Sequence, residues 1–308
     1  MKSLASTSLF FGLLASGFST VSAQTNWYVD LNNPSGPGSG TLADPYVSIQ
    51  LAISAAATQN GDRVIVRPGS YVENLNITKS LMFRSSGGLA QTEIVGSAAA
   101  APAVLVAPQL PGLAPVVMEQ FTIREGSGAL VSHEARGGGV FCEQASLELR
   151  DCVIEENEAD RGGGLYIRDS TVVLQRCIIQ DNDAVTGGAE GGGIYVGLSS
   201  DVRLESCEVN NCMAAHQGGG IWMGSLATGV LTLRNSRVSN NLVTVQGEGG
   251  GLYISGGSLD MDHSDFEGNT AGTFFQPGRG GGVFAALSVS AAVQQCTFKS
   301  NGLGSPAA

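Results

Sequence analysis

Basic residues are scarce in this chain. Its 16 lysines and arginines stand against 27 aspartates and glutamates, a formal charge of −11 over 308 residues. Nucleic-acid binding needs a basic footprint that this balance does not supply. The same deficit argues against electrostatic capture of acidic polysaccharides unless a cation bridges them. Histidine is nearly absent, at 3 residues, and the 6 cysteines include no Cys-x-x-Cys, which removes the common spacings for a soft-metal site. No apolar run reaches the ~18 residues of a membrane-spanning helix, and the repeats described below show no sustained helical spacing. Adjacent strands therefore cannot be joined by crossover helices.

The first residues have the layout of a secretory signal peptide. Lys2 supplies the positive charge, Leu9 to Ala15 an apolar run, and Val21-Ser22-Ala23 the small residues of a cleavage site. Cleavage is expected after Ala23, leaving a secreted, extracellular or cell-surface product with no membrane span.

Glycine is abundant, with 44 residues, and much of it is periodic. A Gly-Gly-Gly-aliphatic-aromatic signature occurs six times, beginning at Gly137, Gly162, Gly191, Gly218, Gly249 and Gly280. Each copy is followed by alternating apolar residues, as in Leu147-Glu148-Leu149, and then by two further columns. The first column holds Cys152, Cys177, Cys207, Ser236, Ser264 and Cys296. The second lies five positions on and holds Asn157, Asn182, Cys212, Asn241, Asn269 and Asn301. Alternation predicts half-buried strands, glycine permits tight corners, and a fixed period stacks each strand on its equivalent one coil later, ~4.8 Å away. Asn side chains then form a hydrogen-bonded ladder, as in stacked cross-β assemblies. The cysteine column asks only for a small inward side chain; parallel Cβ vectors are badly aimed for disulfides, so buried free thiols are expected.

Residues 24–100 read as an N-terminal cap and first coils, and 101–308 as repeat coils of the same solenoid. Ile49, Leu51, Ala52, Ile53 and Ala56 give an amphipathic face for a short helix ending at Asn60-Gly61, suited to covering the raw end of the first coil. The stretch 98–115, rich in Ala and Pro, reads as a less regular coil with a long excursion.

The opening DPYVSIQLAISAA…GDRVIVRPGSYVENLNI resembles the start of exported pectin-lyase-like β-helix proteins. The six glycine triplets, with Ile154 to Asn157, Phe266 to Asn269 and Phe298 to Asn301, resemble the repeats of chlamydial-type polymorphic outer-membrane proteins. The resemblance implies an all-β, right-handed parallel β-helix solenoid, with the short helix as its N-terminal cap, in a secreted or cell-surface bacterial setting. It implies chemistry only weakly, since the fold hosts lyases, hydrolases, esterases and adhesins. The paired aspartates and Gly-His-Gly of polygalacturonase-like hydrolases have no counterpart here, nor has the Arg-x-Pro-x-x-Arg of pectate lyases.

Two side-chain columns are candidates for function. The aromatic after each triplet (Phe141, Tyr166, Tyr195, Trp222, Tyr253 and Phe284) should face outward, since its neighbours point in. Such a ladder offers either several hundred Å² of surface for sugar rings or a stack satisfied by itself and shaded by loops. The residue before each triplet gives Arg136, Arg161, Glu190, Gln217, Glu248 and Arg279, either a polar ligand site or ordinary cross-strand pairs. Within it Glu190 and Glu248, with the neighbouring His216, are the acid/base candidates. The acidic loops 155–160 and 181–183 could hold calcium, but a solvated acidic face fits their spacing better; no metal or other cofactor is expected. Three functions follow: a surface protein binding a polysaccharide or cell-envelope component, a polysaccharide lyase or hydrolase of uncommon type, or a structural fragment of a larger surface protein.

Overall fold

The computed structural model describes residues 24–304 apart from 89–90, 185, 187, 225, 246, 273–277 and 287–288. The expected signal peptide, residues 1–23, lies outside the described residues. Within them the chain winds as a parallel β-solenoid. One coil runs through Ser146–Arg150, Val153–Glu155, Glu158–Ala159 and Leu165–Arg168. Each strand pairs in parallel with its equivalent one coil on: Leu147 with Val172, Ile154 with Ile179, Ala159 with Ala184 and Tyr166 with Tyr195. Four sheets of ten, nine, six and eight strands result, here sheets I to IV in chain order within a coil. Inward residues such as Leu147, Leu149, Ile154, Leu165 and Ile167 are all but inaccessible and stack into one core. Each such aliphatic side chain contributes about 1.5–3 kcal/mol of burial.

Sharp corners separate the sheets, and in every repeat a left-handed residue makes the corners after sheet I and after sheet II. Asp151, Arg176, Ser206, Asn235, His263 and Gln295, with φ between 48° and 54°, precede the cysteine–serine column. Glu156, Asp181, Asn211, Asn240, Gly268 and Ser300 do the same before the asparagine column. The chain turns at the left-handed residue, and the small polar residue after it points inward and satisfies the corner's carbonyls. Asn157 Nδ2 thus donates to Glu155 O at 2.9 Å and to Ile123 O, one coil earlier, at 3.1 Å. It also donates to Asn182 Oδ1 at 2.9 Å, so the two asparagines are direct neighbours.

The glycine triplets and the asparagine column form one device. The first glycine of each triplet has φ between 61° and 71°. A Cβ on the third would meet the ladder: at Gly139 it would lie 2.8 Å from Asn157 Nδ2, and at Gly193 3.1 Å from Cys212 Sγ. The amide ladder therefore fits only because its facing strand begins without side chains. All six cysteines are free, and all but Cys296 are buried. Burial pushes the thiols of Cys142 and Cys212 up to about 12.

The N-terminal helix spans only Ile49–Ser54 and stops short of Asn60-Gly61. Lys79 Nζ donates to the carbonyls of Ile53 and Ala55 at 2.7 and 2.8 Å, fixing the C-terminus there. Asn60 and Gly61 form a separate turn against Ser80, through Ser80 N to Asn60 Oδ1 and Gly61 N to Ser80 O. At the other end Ser48 caps the helix and the Glu73 carboxylate accepts from Ile49 N and Gln50 N. The helix lies beside Leu75–Ile77, the first strand of sheet IV. There the Gln50 side chain bonds both N and O of Asn76, at 2.7 and 3.4 Å, and so occupies hydrogen-bonding groups of an otherwise unpaired edge. Within the irregular stretch 98–115, Val104–Val106 enters sheet IV.

Candidate functional site

The aromatic side chains stand on the outer face of sheet IV in register, Phe141 over Tyr166 over Tyr195 over Trp222 over Tyr253 over Phe284. Their rings lie within 14° of parallel, with centroids 5.2, 4.8, 4.4, 6.2 and 5.3 Å apart along the series. Of the two arrangements open to the ladder, the geometry is that of the self-satisfied stack. Each ring covers the faces of its neighbours, so edges rather than faces meet the solvent. Phe141, Tyr166 and Tyr195 are only 7%, 2% and 7% exposed, whereas Trp222, Tyr253 and Phe284 are half-buried.

The cover over the first rungs is a β-hairpin, Ala129–Val131 paired antiparallel with Glu134–Arg136, inserted just before the first triplet. Its Ala129 and Val131 pack against the Phe141, Tyr166 and Tyr195 cluster. The repeat consensus does not mark this hairpin, because its turn residues Ser132 and His133 take positive φ without glycine.

The residues before the triplets also stack, bridging in the order Arg136, Arg161, Glu190, Gln217, Glu248 and Arg279. Arg136 donates to Tyr166 Oη at 3.3 Å and Arg161 to Tyr195 Oη at 3.4 Å. Each guanidinium also lies over the ring of that tyrosine, at 5.5 and 5.7 Å from its centroid. Glu134 of the hairpin pairs with both arginines, at 3.0 and 3.2 Å. Arg161 Nε stands 3.5 Å from Glu190 without a hydrogen bond. Gln217 accepts from Trp222 Nε1 at 3.2 Å and donates to Glu248 at 3.3 Å, and Arg279 closes on Glu248 at 3.5 Å. Burial raises the Glu190 carboxyl above its ordinary range and lifts the Tyr195 phenol to about 12.

Between this column and the loops on the far side of the ladder lies a groove of about 340 Å³. Tyr166, Tyr195 and Trp222 form its floor; Arg136, Arg161 and Glu190 line one wall, and Arg168, Leu198, Leu226 and Ala227 the other. Its depth depends on two glycines. A Cβ on Gly197 would lie 2.9 Å from Tyr195 Cε1, and one on Gly224 would lie 2.0 Å from Trp222 Cη2, so the rings lean into space that any other residue would fill. Arg168, Gly197 and Gly224 carry no mark in the triplet consensus; the signal is the column two residues past each aromatic, Glu143, Arg168, Gly197 and Gly224. Three arginines and one glutamate line the groove, and each arginine has a carboxylate partner: Glu134 for Arg136 and Arg161, and Glu143, at 2.9 Å, for Arg168. Buried Nε atoms of Arg136 and Arg161 have no hydrogen-bond acceptor.

Of the acid/base candidates, Glu190 alone lines the groove. Glu248 is engaged further along by Gln217 and Arg279, and His216 is exposed away from the lining. The acidic loops do not converge either: Asn157 is in the ladder, and Asp160 accepts from Ala135 N and from Thr186. Among the described residues no cluster of three or more His, Cys, Asp or Glu is placed to hold a metal ion, and no helix is long and apolar enough to cross a membrane.

Stacked parallel sheets around one core, with a groove along an outer face, define a β-helix protein. The chain belongs to the right-handed β-helix region family, whose model matches residues 122–298. Solved structures to which the chain is similar include pectate lyase Pel9A, at 12% identity over 93% of this chain and 80% of that one, with a TM-score of 0.41. A pectin methylesterase mutant in complex with a hexasaccharide matches at 11% identity over 80% and 82%, TM-score 0.39. The A-module of the Azotobacter vinelandii mannuronan C-5 epimerase AlgE4 matches at 14% over 91% and 100%, TM-score 0.27. These likenesses are too distant to transfer a residue or a reaction. A search of the curated proteins finds no match.

Proposed function

We propose that this is a secreted or cell-surface protein that holds an acidic polysaccharide along the outer face of sheet IV. The six stacked aromatics form the spine of the site, and Trp222, Arg136, Arg161 and Arg168 make the principal contacts. One observation carries the reading: in a chain of net charge −11 three arginines converge on an aromatic-floored groove, each held by a carboxylate beside it, Arg136 and Arg161 by Glu134 and Arg168 by Glu143. Global charge sets long-range attraction, but a groove with low-dielectric walls focuses the field of its own lining. Guanidinium forks match carboxylates in a bidentate geometry. The edges of Tyr166, Tyr195 and Trp222, with Leu198 and Leu226, supply apolar contact for the sugar ring.

Affinity electrophoresis in gels containing polygalacturonate, alginate or an uncharged glucan tests this. Retardation by the acidic polymers, lost in Arg161→Ala and Trp222→Ala, is expected; equal retardation by the uncharged polymer, or none by any, would refute it. A second reading, cleavage of the same polymer with Glu190 as proton donor, is favoured by the raised carboxyl of Glu190 in the groove. Release of reducing or unsaturated ends, abolished in Glu190→Gln, would establish that reading in place of simple binding.

A further inference from the structure

The groove is not symmetrical along its length. The aromatic ladder continues past it in both directions, to Phe141, with Leu105 in the next position of the column, on one side and to Tyr253 and Phe284 on the other. Neither Phe141 nor Leu105 lines the groove, because the hairpin lies there, with Ala129 and Val131 packed against the aromatic cluster that includes Phe141. The hairpin is anchored at its base as well. Ala135 N donates to Asp160 at 2.7 Å, and Glu134 ties to Arg136 and Arg161. In the other direction Tyr253 and Phe284 are half-buried, and the polar column accompanies them through Glu248 and Arg279.

From this we infer that the site recognises the end of a polysaccharide chain rather than an internal stretch. A bound chain lying along the ladder meets the hairpin at Arg136, whereas among the described residues no second hairpin stands over Trp222, Tyr253 and Phe284. The last sugar therefore seats over Tyr166, Tyr195 and Trp222, beneath the three arginines, and the rest of the chain leaves along the C-terminal coils. An internal segment would have to pass through the space that Ala129 and Val131 occupy. This inference rests on the glycan-binding reading above and adds direction and chain-end specificity to it.

The test is a length series. Polygalacturonate, intact and trimmed by partial acid hydrolysis, is titrated at equal mass into the full-length protein, and bound protein per gram of polymer is measured at saturation. Chain-end recognition predicts that binding sites per gram rise in inverse proportion to mean chain length. Capacity that is constant or falls as chains shorten overturns the inference and leaves the groove as a site for internal segments. Absence of binding by every sample overturns the underlying reading instead. A variant with residues 129–135 replaced by a Gly-Gly link is expected to bind internal segments and lose the dependence on length; should it not fold, the series on the intact protein decides alone.

Discussion

Cys212 is the one rung of the asparagine ladder that is not asparagine, and Cys212→Asn should stabilise the protein. In the intact rungs each Oδ1 accepts twice from the preceding coil. Asn269 Oδ1 accepts from Asn241 N at 3.0 Å and from its Nδ2 at 2.9 Å, and Asn301 Oδ1 accepts from Asn269 at 3.0 Å in both bonds. At the exceptional rung Asn182 Nδ2, which donates to Ile154 O and Gln180 O at 2.8 Å, meets in the next coil only Cys212 Sγ, at 4.0 Å, and Asn241 Oδ1 accepts only from Cys212 N, at 3.0 Å. Room is not the obstacle: a Cβ on Gly193 would stand 3.1 Å from Cys212 Sγ, while one on Gly164 would stand 3.1 Å from Asn182 Nδ2. The substitution replaces the long sulfur contact of Asn182 by an oxygen acceptor in the next coil and gives Asn241 Oδ1 a second donor. At about 0.5–1.5 kcal/mol net for each bond, two restored bonds amount to about 1–3 kcal/mol, less about 0.8 kcal/mol or so of apolar burial lost with the thiol. A net gain of about 0.2–2 kcal/mol is expected, read as a higher urea midpoint with an unchanged slope. Asn182→Cys, which breaks an intact rung, should move the midpoint the other way. A midpoint that falls for Cys212→Asn while the far-ultraviolet spectrum stays native would refute the ladder as a source of stability.

Thiol titration of the native protein should detect Cys296 alone, and all six cysteines only in denaturant; rapid reaction of Cys152, Cys177 or Cys207 would contradict a closed core. Gly224→Ala places a methyl 2.0 Å from Trp222 Cη2, so it should displace the indole, shift its emission and lower glycan affinity by about tenfold, ~1.4 kcal/mol; unchanged emission would show that the ring does not lean over that glycine. The raised Glu190 carboxyl favours its protonated form in the fold, so its contribution to stability is complete below its ordinary value of 4.5 and is lost as the pH rises through the higher folded value. Paired denaturation series should show a smaller loss across that window in Glu190→Gln than in the parent, and parallel pH slopes would count against the burial of this group.

The solenoid is legible in the sequence because stacking turns one local solution into a column of equivalent residues. A parallel register makes Asn157 and Asn182 neighbours although they lie a full coil apart, and repetition of Gly-Gly-Gly records a backbone approach that forbids a Cβ. The corners are less legible. Asp, Asn and Gly tolerate left-handed φ, but Arg176, His263 and Gln295 occupy the same corner column, held there by the coils on either side. The site was legible only in part. The columns Phe141 to Phe284 and Arg136 to Arg279 stand where alternation puts them, but alternation says nothing of ring spacing, and parallel stacking at 4.4–6.2 Å is what hides the ring faces. The hairpin interrupts the period once and so leaves no column to read. The groove lies between a repeated column and loops that do not repeat, which is why Leu198 and Leu226 give no signal.

Fluorescence titration of the Trp27→Phe protein, in which Trp222 is the sole remaining tryptophan, tests the groove most directly. Trp27 lies at the N-terminal end of the solenoid, bonded to Asp62, away from the site. Short oligogalacturonates should change the Trp222 emission saturably, and Arg161→Ala should weaken the response by tenfold or more (~1.4 kcal/mol). Emission that stays constant while the same oligosaccharides bind elsewhere on the protein, or a response indifferent to Arg161, would contradict the assignment of this groove as the ligand site.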